Sequence, residues 1–141
     1  KDFDEVVQKV EDFIAHKMQT FFVLEKLDNL VKNGRMSLLK GKIASLLSIA
    51  PILCGENGKI HLVETVRGMK KSLARMQDHI GMRCDDFEKR TLVVAHCNNP
   101  ERGESFVEDV RKRYPFARIE LVDMGMLSTI YADDGGIVVA F

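Results

Sequence analysis

Hydrophobic residues recur along this chain at two spacings, and each spacing predicts one kind of element. Near the start, apolar residues three or four positions apart share one side of a helix over residues 3–18. They are Phe3, Val6, Val7, Val10, Phe13 and Ile14. A second helical stripe consists of Met69, Leu73, Met76 and Ile80. A third consists of Phe106, Val107, Val110 and Tyr114. This last stripe follows Asn99-Pro100, a pair typical of a helix N-cap with proline in the first turn.

Short apolar runs between these stripes predict strands. The runs lie at residues 20–24, 51–54, 59–63, 91–95, 118–122 and 136–141. Asn57-Gly58 separates the second run from the third and predicts a hairpin, because both residues accept a positive φ. A short helix is predicted near residues 27–31, with its stop at Asn33-Gly34. Another is predicted over residues 38–49, ended by Pro51.

The order of these elements predicts an α/β fold. The second half alternates strand and helix, which favours parallel pairing, whereas the hairpin adds an antiparallel pair. A chain of 141 residues with 45% hydrophobic residues is typical of one domain with its own core. We therefore expect a single layered domain over residues 1–141, with a mixed β-sheet and helices packed on it.

Composition narrows the classes of function. Basic and acidic residues number 21 each, so the chain lacks the basic excess of most nucleic-acid binders. No apolar run approaches the ~20 residues of a membrane-spanning helix, so no membrane insertion is expected. The three cysteines, Cys54, Cys84 and Cys97, are widely spaced and odd in number. They favour buried thiols in a reducing cytoplasm over a disulfide framework.

The segment KNGRMSLLKGK, residues 32–42, has the glycines and basic residues of a phosphate-binding loop but not the spacing. That motif places four residues between its first glycine and Gly-Lys, and then requires Ser or Thr. Here six residues separate Gly34 from Gly41, and Ile43 follows Lys42. A bound nucleotide is not predicted.

Other chemical motifs are equally weak. The four histidines are scattered, and no serine lies in a nucleophile elbow. Asp133-Asp134 is able to bind a cation but is more typical of a solvated turn. The sequence therefore predicts no catalytic residue, metal or cofactor. Arg35, displayed after the helix stop, is suited to binding a carboxylate or phosphate. A local surface salt bridge is the commoner role for such an arginine.

Several segments together resemble one known family, the DegV proteins. Residues 21–24 (FFVL) and 27–37 (LDNLVKNGRMS) resemble its strand and "GGR" turn. Residues 46–53 (LLSIAPIL) resemble its "LLNIKPIL" segment, and residues 66–73 (VRGMKKSL) resemble "VRGRKKAL". The closing residues 135–141 resemble its glycine-rich end. These matches run in order through nearly the whole chain.

The resemblance implies a fatty acid carrier. DegV proteins have two α/β domains and bind one long-chain fatty acid, which some members present to a separate fatty acid kinase. This chain resembles the second domain only, so its own N-terminal domain is an implied partner. Arg35 occupies the position implied to contact the kinase. The acyl tunnel is implied to be lined by residues 38–53, with these candidates: Ile43, Leu46, Leu47, Ile49 and Ile52.

The head-group region departs from the family pattern. Alignment from the end places Tyr131, with Thr129 nearby, where the family has histidine in a "THTGPG"-like motif. Tyrosine donates a hydrogen bond to a carboxylate but carries no charge near neutral pH. Asp133 and Asp134 would repel a carboxylate. Two alternatives therefore stay open: a protein-interaction module without lipid binding, and a small enzyme acting on an acyl substrate.

Overall fold

The computed structural model describes residues 2–35 and 49–141, in which the chain forms an α/β domain. The helices of these ranges are α1 (Phe3–His16), α2 (Asp28–Lys32), α3 (Met69–Arg83), α4 (Pro100–Arg113) and α5 (Met126–Ala132), with a 3₁₀ turn at Phe87–Lys89. The strands are β1 (Thr20–Val23), β2 (Ile52–Glu56), β3 (Lys59–Glu64), β4 (Thr91–His96), β5 (Arg118–Asp123) and β6 (Ile137–Ala140). The predicted helix over residues 38–49 lies outside the described residues except for its last position.

The strands form one mixed sheet in the order β3-β2-β1-β6-β4-β5. β4 and β5 are parallel and are joined by α4, the crossover helix that a parallel pair requires. The remaining pairs are antiparallel. The predicted fold class, α/β with a mixed sheet, is confirmed.

Local sequence signals decide where several elements begin and end. Asn57 and Gly58 have φ values of 50° and 71°, so they form the two-residue hairpin turn that the sequence predicts. The Asn99 side chain accepts a hydrogen bond of 3.1 Å from the Arg102 amide, which confirms it as the N-cap of α4. α2 ends at Lys32, and the φ of 70° at Gly34, two residues later, lets the amide of Arg35 donate back to the Leu30 carbonyl. One helix was not predicted: α5, which lies between β5 and β6.

The main core lies on one face of the sheet, here called the first face. α3 packs on β1 and β2, and α4 packs on β4 and β5. Alternate strand residues, such as Phe21, Val94 and Val139, are fully buried there beneath the two helices. This first cluster therefore joins both halves of the sheet.

The opposite, second face carries a smaller cluster. Leu24, Leu30, Leu53, Cys97 and Ala132 are its buried members, and they lie near α2 and α5. Farther along the same face, Val93 and Val122 are 36% and 41% exposed. The second face is thus covered at one end and partly open across β4 and β5.

Helix α1 stands apart from both clusters. None of its residues is buried, although its apolar stripe is intact. Within the described ranges, no helix has the length and apolarity to cross a membrane.

Candidate functional site

Four strands, β1, β3, β4 and β5, have their carboxyl ends at one edge of the sheet, and the segments that follow β1, β4 and β5 form the candidate site there. β1 and β4 both run antiparallel to β6, and β5 runs parallel to β4, so all three point the same way. The segments that follow them meet there with the turn that precedes β6. We call this the carboxyl edge; it comprises residues 24–35, 97–102 and 124–136. In layered α/β sheets this is the edge at which ligands bind.

Arg102, in the first turn of α4, holds the carboxyl edge together. Its guanidinium forms a 2.7 Å ion pair with Glu25, after β1, and donates to the Gly135 carbonyl, before β6. Gly135 has a φ of 86°, and a Cβ at this position would lie 2.5 Å from Arg102 Nη1. Glycine at 135 therefore lets the arginine bridge two loops that are distant in sequence.

The turn before β6 is fixed by further hydrogen bonds. The Gly135 amide donates to the Cys97 carbonyl (2.8 Å), and the Cys97 amide donates to the Gly136 carbonyl (3.0 Å). Asn98 Nδ2 donates to Asp134 Oδ1 at 3.2 Å. Asp133 Oδ1 accepts from the Asp134 amide at 3.1 Å. Both carboxylates thus serve as acceptors within the turn, and in the described residues no three potential ligands gather to hold a metal ion.

Tyr131 and Thr129, the head-group candidates, both lie on α5 at this edge. Tyr131 is half-buried against the second cluster. Thr129 is exposed, and its hydroxyl donates back to the Gly125 carbonyl at 3.1 Å. Asn29 Nδ2 donates to the Ile130 carbonyl at 2.9 Å and so ties α2 to α5. The structure therefore brings Tyr131 beside the helix that leads to Arg35.

Arg35 is exposed at the end of α2, immediately after Gly34. The hydrogen bond from its amide to the Leu30 carbonyl holds the Arg35 backbone against the end of α2, and the residue is exposed to solvent. The structure thus displays Arg35 as the helix stop predicts.

Two of the five tunnel candidates, Ile49 and Ile52, fall within the described residues. Ile43, Leu46 and Leu47 lie outside the described residues. Ile49 is half-buried and pairs with Arg67 in an isolated antiparallel bridge. Ile52 is fully buried in the first cluster, on the opposite face of the sheet from Tyr131.

The next residue along β2, Leu53, points to the other side. It is fully buried in the second cluster beside its strand partners Phe22 and Leu62, and Tyr131 packs against the same cluster. Tyr131 was among the site residues predicted from the sequence, whereas Leu53, Phe22 and Leu62 were not. The signal was available, because neighbouring residues on a strand face opposite sides of the sheet.

Two cavities open on the described part of the chain. One, of about 490 Å³, lies between α3 and α4. The other, of about 500 Å³, lies between the end of α1 and the β2–β3 hairpin. Neither is lined by Tyr131 or Thr129.

His96 is a buried polar residue at the carboxyl end of β4 that the sequence did not single out. It is 5% exposed, and its Nε2 lies 3.4 Å from Asp123 Oδ1. Its Nδ1 is buried without a hydrogen-bond partner among the described residues. The ring packs against α4 at Gly103, where a Cβ would lie 3.1 Å from His96 Cδ2.

An ionic network of described residues lies on the first face of the sheet. Glu64 on β3 accepts from Arg75 on α3 (2.9 Å to Nη2) and contacts His79 Nε2 at 2.8 Å. The hydrogen bonds from Arg75 and then His79 hold the pKa of Glu64 below its usual range. Arg113 on α4 pairs with Asp78 and lowers the pKa of that carboxyl. This network ties β3, α3 and α4 together on the first face.

The cysteines are buried, as the sequence predicts. Cys54, Cys84 and Cys97 are all free thiols with low exposure. Burial raises the pKa of the Cys54 and Cys84 thiols. Both are therefore poor nucleophiles near neutral pH.

The mixed six-stranded sheet and its helices define this protein as a layered α/β domain. Solved structures of other proteins have the same fold. A DegV family protein from Ruminococcus gnavus, in a structure with vaccenic acid, superposes with a TM-score of 0.91 at 40% identity. The similarity covers 100% of this chain and 50% of that one.

The chain belongs to the DegV family, whose model matches residues 1–141. A DegV domain-containing protein of Streptococcus pyogenes is 34% identical over 140 residues, which are 99% of this chain and 49% of the relative. The Streptococcus pneumoniae Fatty Acid Kinase (Fak) B3 protein, loaded with linoleic acid, matches at 32% identity with a TM-score of 0.86, over 100% of this chain and 50% of that one. The chain thus spans about half the length of these relatives.

Proposed function

We propose that this chain is the second domain of a two-domain protein that binds a long-chain fatty acid. The observation that carries the proposal is the whole-chain similarity to the Ruminococcus gnavus and Streptococcus pneumoniae proteins, whose structures contain vaccenic and linoleic acid. The partly open second face supports it, since an alkyl chain laid on apolar surface gains about 0.8 kcal/mol per buried methylene. The preceding domain supplies the rest of the enclosure.

In this proposal the fatty acid head group lies at the carboxyl edge. Tyr131 is the donor to the carboxylate, and Thr129 lies two residues earlier, on the exposed side of α5. Ile43, Leu46, Leu47 and Ile49 are proposed to line the acyl chain. Since Ile52 faces the first cluster, its proposed contribution is to hold β2 in place so that Leu53 faces the ligand.

The proposed role is that of a carrier without catalysis of its own. It presents the bound fatty acid to a kinase-type partner, and Arg35 contacts that partner. The exposed position of Arg35, on the segment that follows α2, supports this assignment, because α2 is hydrogen-bonded to the helix that carries Tyr131. A partner docked at Arg35 would therefore sit close to the proposed head group.

Lipid binding is tested on the full-length protein. Extraction followed by mass spectrometry should recover a long-chain fatty acid. Tyr131→Phe should weaken oleate binding about tenfold, the value of one hydrogen bond to a charged group, and weaken oleate methyl ester binding less, because the ester carbonyl is an uncharged acceptor. Tyr114→Phe is the matched control, because its hydroxyl donates to the Gln77 carbonyl on the first face. Absence of any bound acyl chain would count against the proposal.

The partner role is tested separately. Arg35→Ala should lower the rate at which a fatty acid kinase phosphorylates the bound lipid by at least tenfold, with lipid affinity unchanged. Lys32→Ala removes an exposed cation one turn earlier and should leave the rate within twofold of the wild type. Equal effects of the two substitutions would show that general positive charge, rather than Arg35, attracts the partner.

A second candidate function is a protein-interaction module without lipid. The fixed carboxylates of Asp133 and Asp134 at the carboxyl edge favour it, because they disfavour a fatty acid carboxylate nearby. In that case the purified full-length protein contains no acyl chain, yet Arg35→Ala still weakens partner binding.

A further inference from the structure

Helix α1 carries an apolar stripe that the described part of the chain does not cover. Phe3, Val10 and Ile14 are 77%, 50% and 54% exposed, and Val6, Val7 and Phe13 are also accessible. A helix of a folded domain normally turns such a stripe toward a core. A contiguous apolar patch of this kind marks a surface that something else covers.

The polar side of α1 says what kind of partner fits. It carries four carboxylates, and Lys9 is its one lysine: the acidic residues are Asp4, Glu5, Glu11 and Asp12. Helices that lie on membranes carry lysine and arginine there, because bilayer surfaces are anionic. Two copies of α1 packed side by side would also bring like charges together. The charges therefore favour a different protein surface over a bilayer or a second copy.

The lengths of the relatives supply a candidate for that surface. This chain covers 49–50% of the proteins it matches, so as much chain again lies outside the matched region. We propose that the α1 stripe is the docking surface for the preceding domain of the same polypeptide. This inference rests on the two-domain arrangement proposed above.

The position of α1 separates this surface from the proposed head-group site. α1 leads into the amino end of β1, where Gln19 exchanges backbone hydrogen bonds with Phe141. Tyr131 and Arg35 belong to the opposite, carboxyl edge. Docking through α1 would therefore hold the two domains together at one end and leave the carboxyl edge accessible to a partner.

The test uses the full-length protein with a protease site inserted before residue 1. After cleavage, the affinity of the two halves is measured by titration. Val10→Glu places a charge in the stripe and should weaken the association at least tenfold. Gln8→Glu places the same charge on the polar side of α1 and should change it less than twofold. In parallel, amide hydrogen exchange over residues 6–14 should slow at least tenfold when the preceding half is bound.

Three results would overturn the inference. The first is an equal loss of affinity between the halves in Val10→Glu and Gln8→Glu. The second is an α1 amide exchange rate that is the same with and without the preceding half. The third is a dimer of this chain alone that protects α1 from exchange. Lipid content is read independently on the uncleaved protein. If it holds no fatty acid while Val10→Glu still separates the halves, the carrier function fails and the docking surface stands.

Discussion

Helices α1 and α4 are each 14 residues long and each carries an apolar stripe, yet only one stripe is buried. α4 buries Gly103, Phe106, Val107 and Val110 against the first face, whereas α1 buries none of its residues. Periodicity predicts a helix and the side of it that avoids water. What covers that side depends on the rest of the fold, and for α1 the described domain provides no cover.

The largest expected effect comes from placing the same charge in both stripes. Val110 is fully buried, so Val110→Asp should destabilise the domain by at least about 4 kcal/mol and unfold it, since the carboxylate would be buried without a partner. Val10→Asp should change stability by less than about 0.5 kcal/mol. Urea unfolding of this chain measures both. A large loss for Val10→Asp would mean that α1 is packed within this domain after all.

A smaller effect is expected where α4 approaches the sheet. A Cβ at Gly103 would lie 2.8 Å from Leu121 Cδ1 and 3.1 Å from His96 Cδ2. Gly103→Ala should therefore cost about 1–2 kcal/mol, the overpacking loss exceeding the gain in helix propensity. Gln8→Ala on α1 has no such contact to break and should be neutral or slightly stabilising. Equal stability changes in the two variants would show that the sheet yields to the extra methyl group.

The smallest effect concerns two ion pairs, one in the domain and one on α1. The folded-state pKa of Glu64 lies below its ordinary value of 4.5. The Glu64 ion pairs therefore stabilise the folded state above about pH 4.5, and this stabilisation is lost as the pH falls through the lowered pKa. Glu64→Gln should lower the urea midpoint at pH 7, and the difference should shrink at pH 3. Glu5→Gln, which removes the exposed Lys9–Glu5 pair, should change the midpoint at neither pH.

The sequence predicts most of this fold because its local signals are strong. The Asn57-Gly58 turn, the Asn99 cap and the Gly34 stop each fix a boundary through one conformational requirement, and the structure shows all three. Helix α5 escaped prediction because its largest apolar residues, Met126, Leu127 and Ile130, face outward and no core-facing stripe remains. Its position is set instead by contacts with α2, which are distant in sequence.

The candidate site was less predictable from the sequence, since it depends on which face of the sheet each strand side chain points to. Ile52 and Leu53 are both apolar and fully buried, and only the sheet separates their environments. The contacts of Arg102 with Glu25 and Gly135 join α4 to two loops and have no local signature in the sequence. Such contacts follow from strand order, which spacing along the chain does not reveal.

Strand order also has a consequence for how the domain is made. β6 is the last strand of the chain, yet it lies in the middle of the sheet, hydrogen-bonded to β1 on one side and to β4 on the other. During synthesis, β1 to β5 emerge first, and the edges of β1 and β4 that pair with β6 stay open until residues 137–140 have been made. Contacts this distant in sequence slow folding and leave unpaired edges exposed to other chains. The nascent domain should therefore depend on chaperones more than its size alone would suggest.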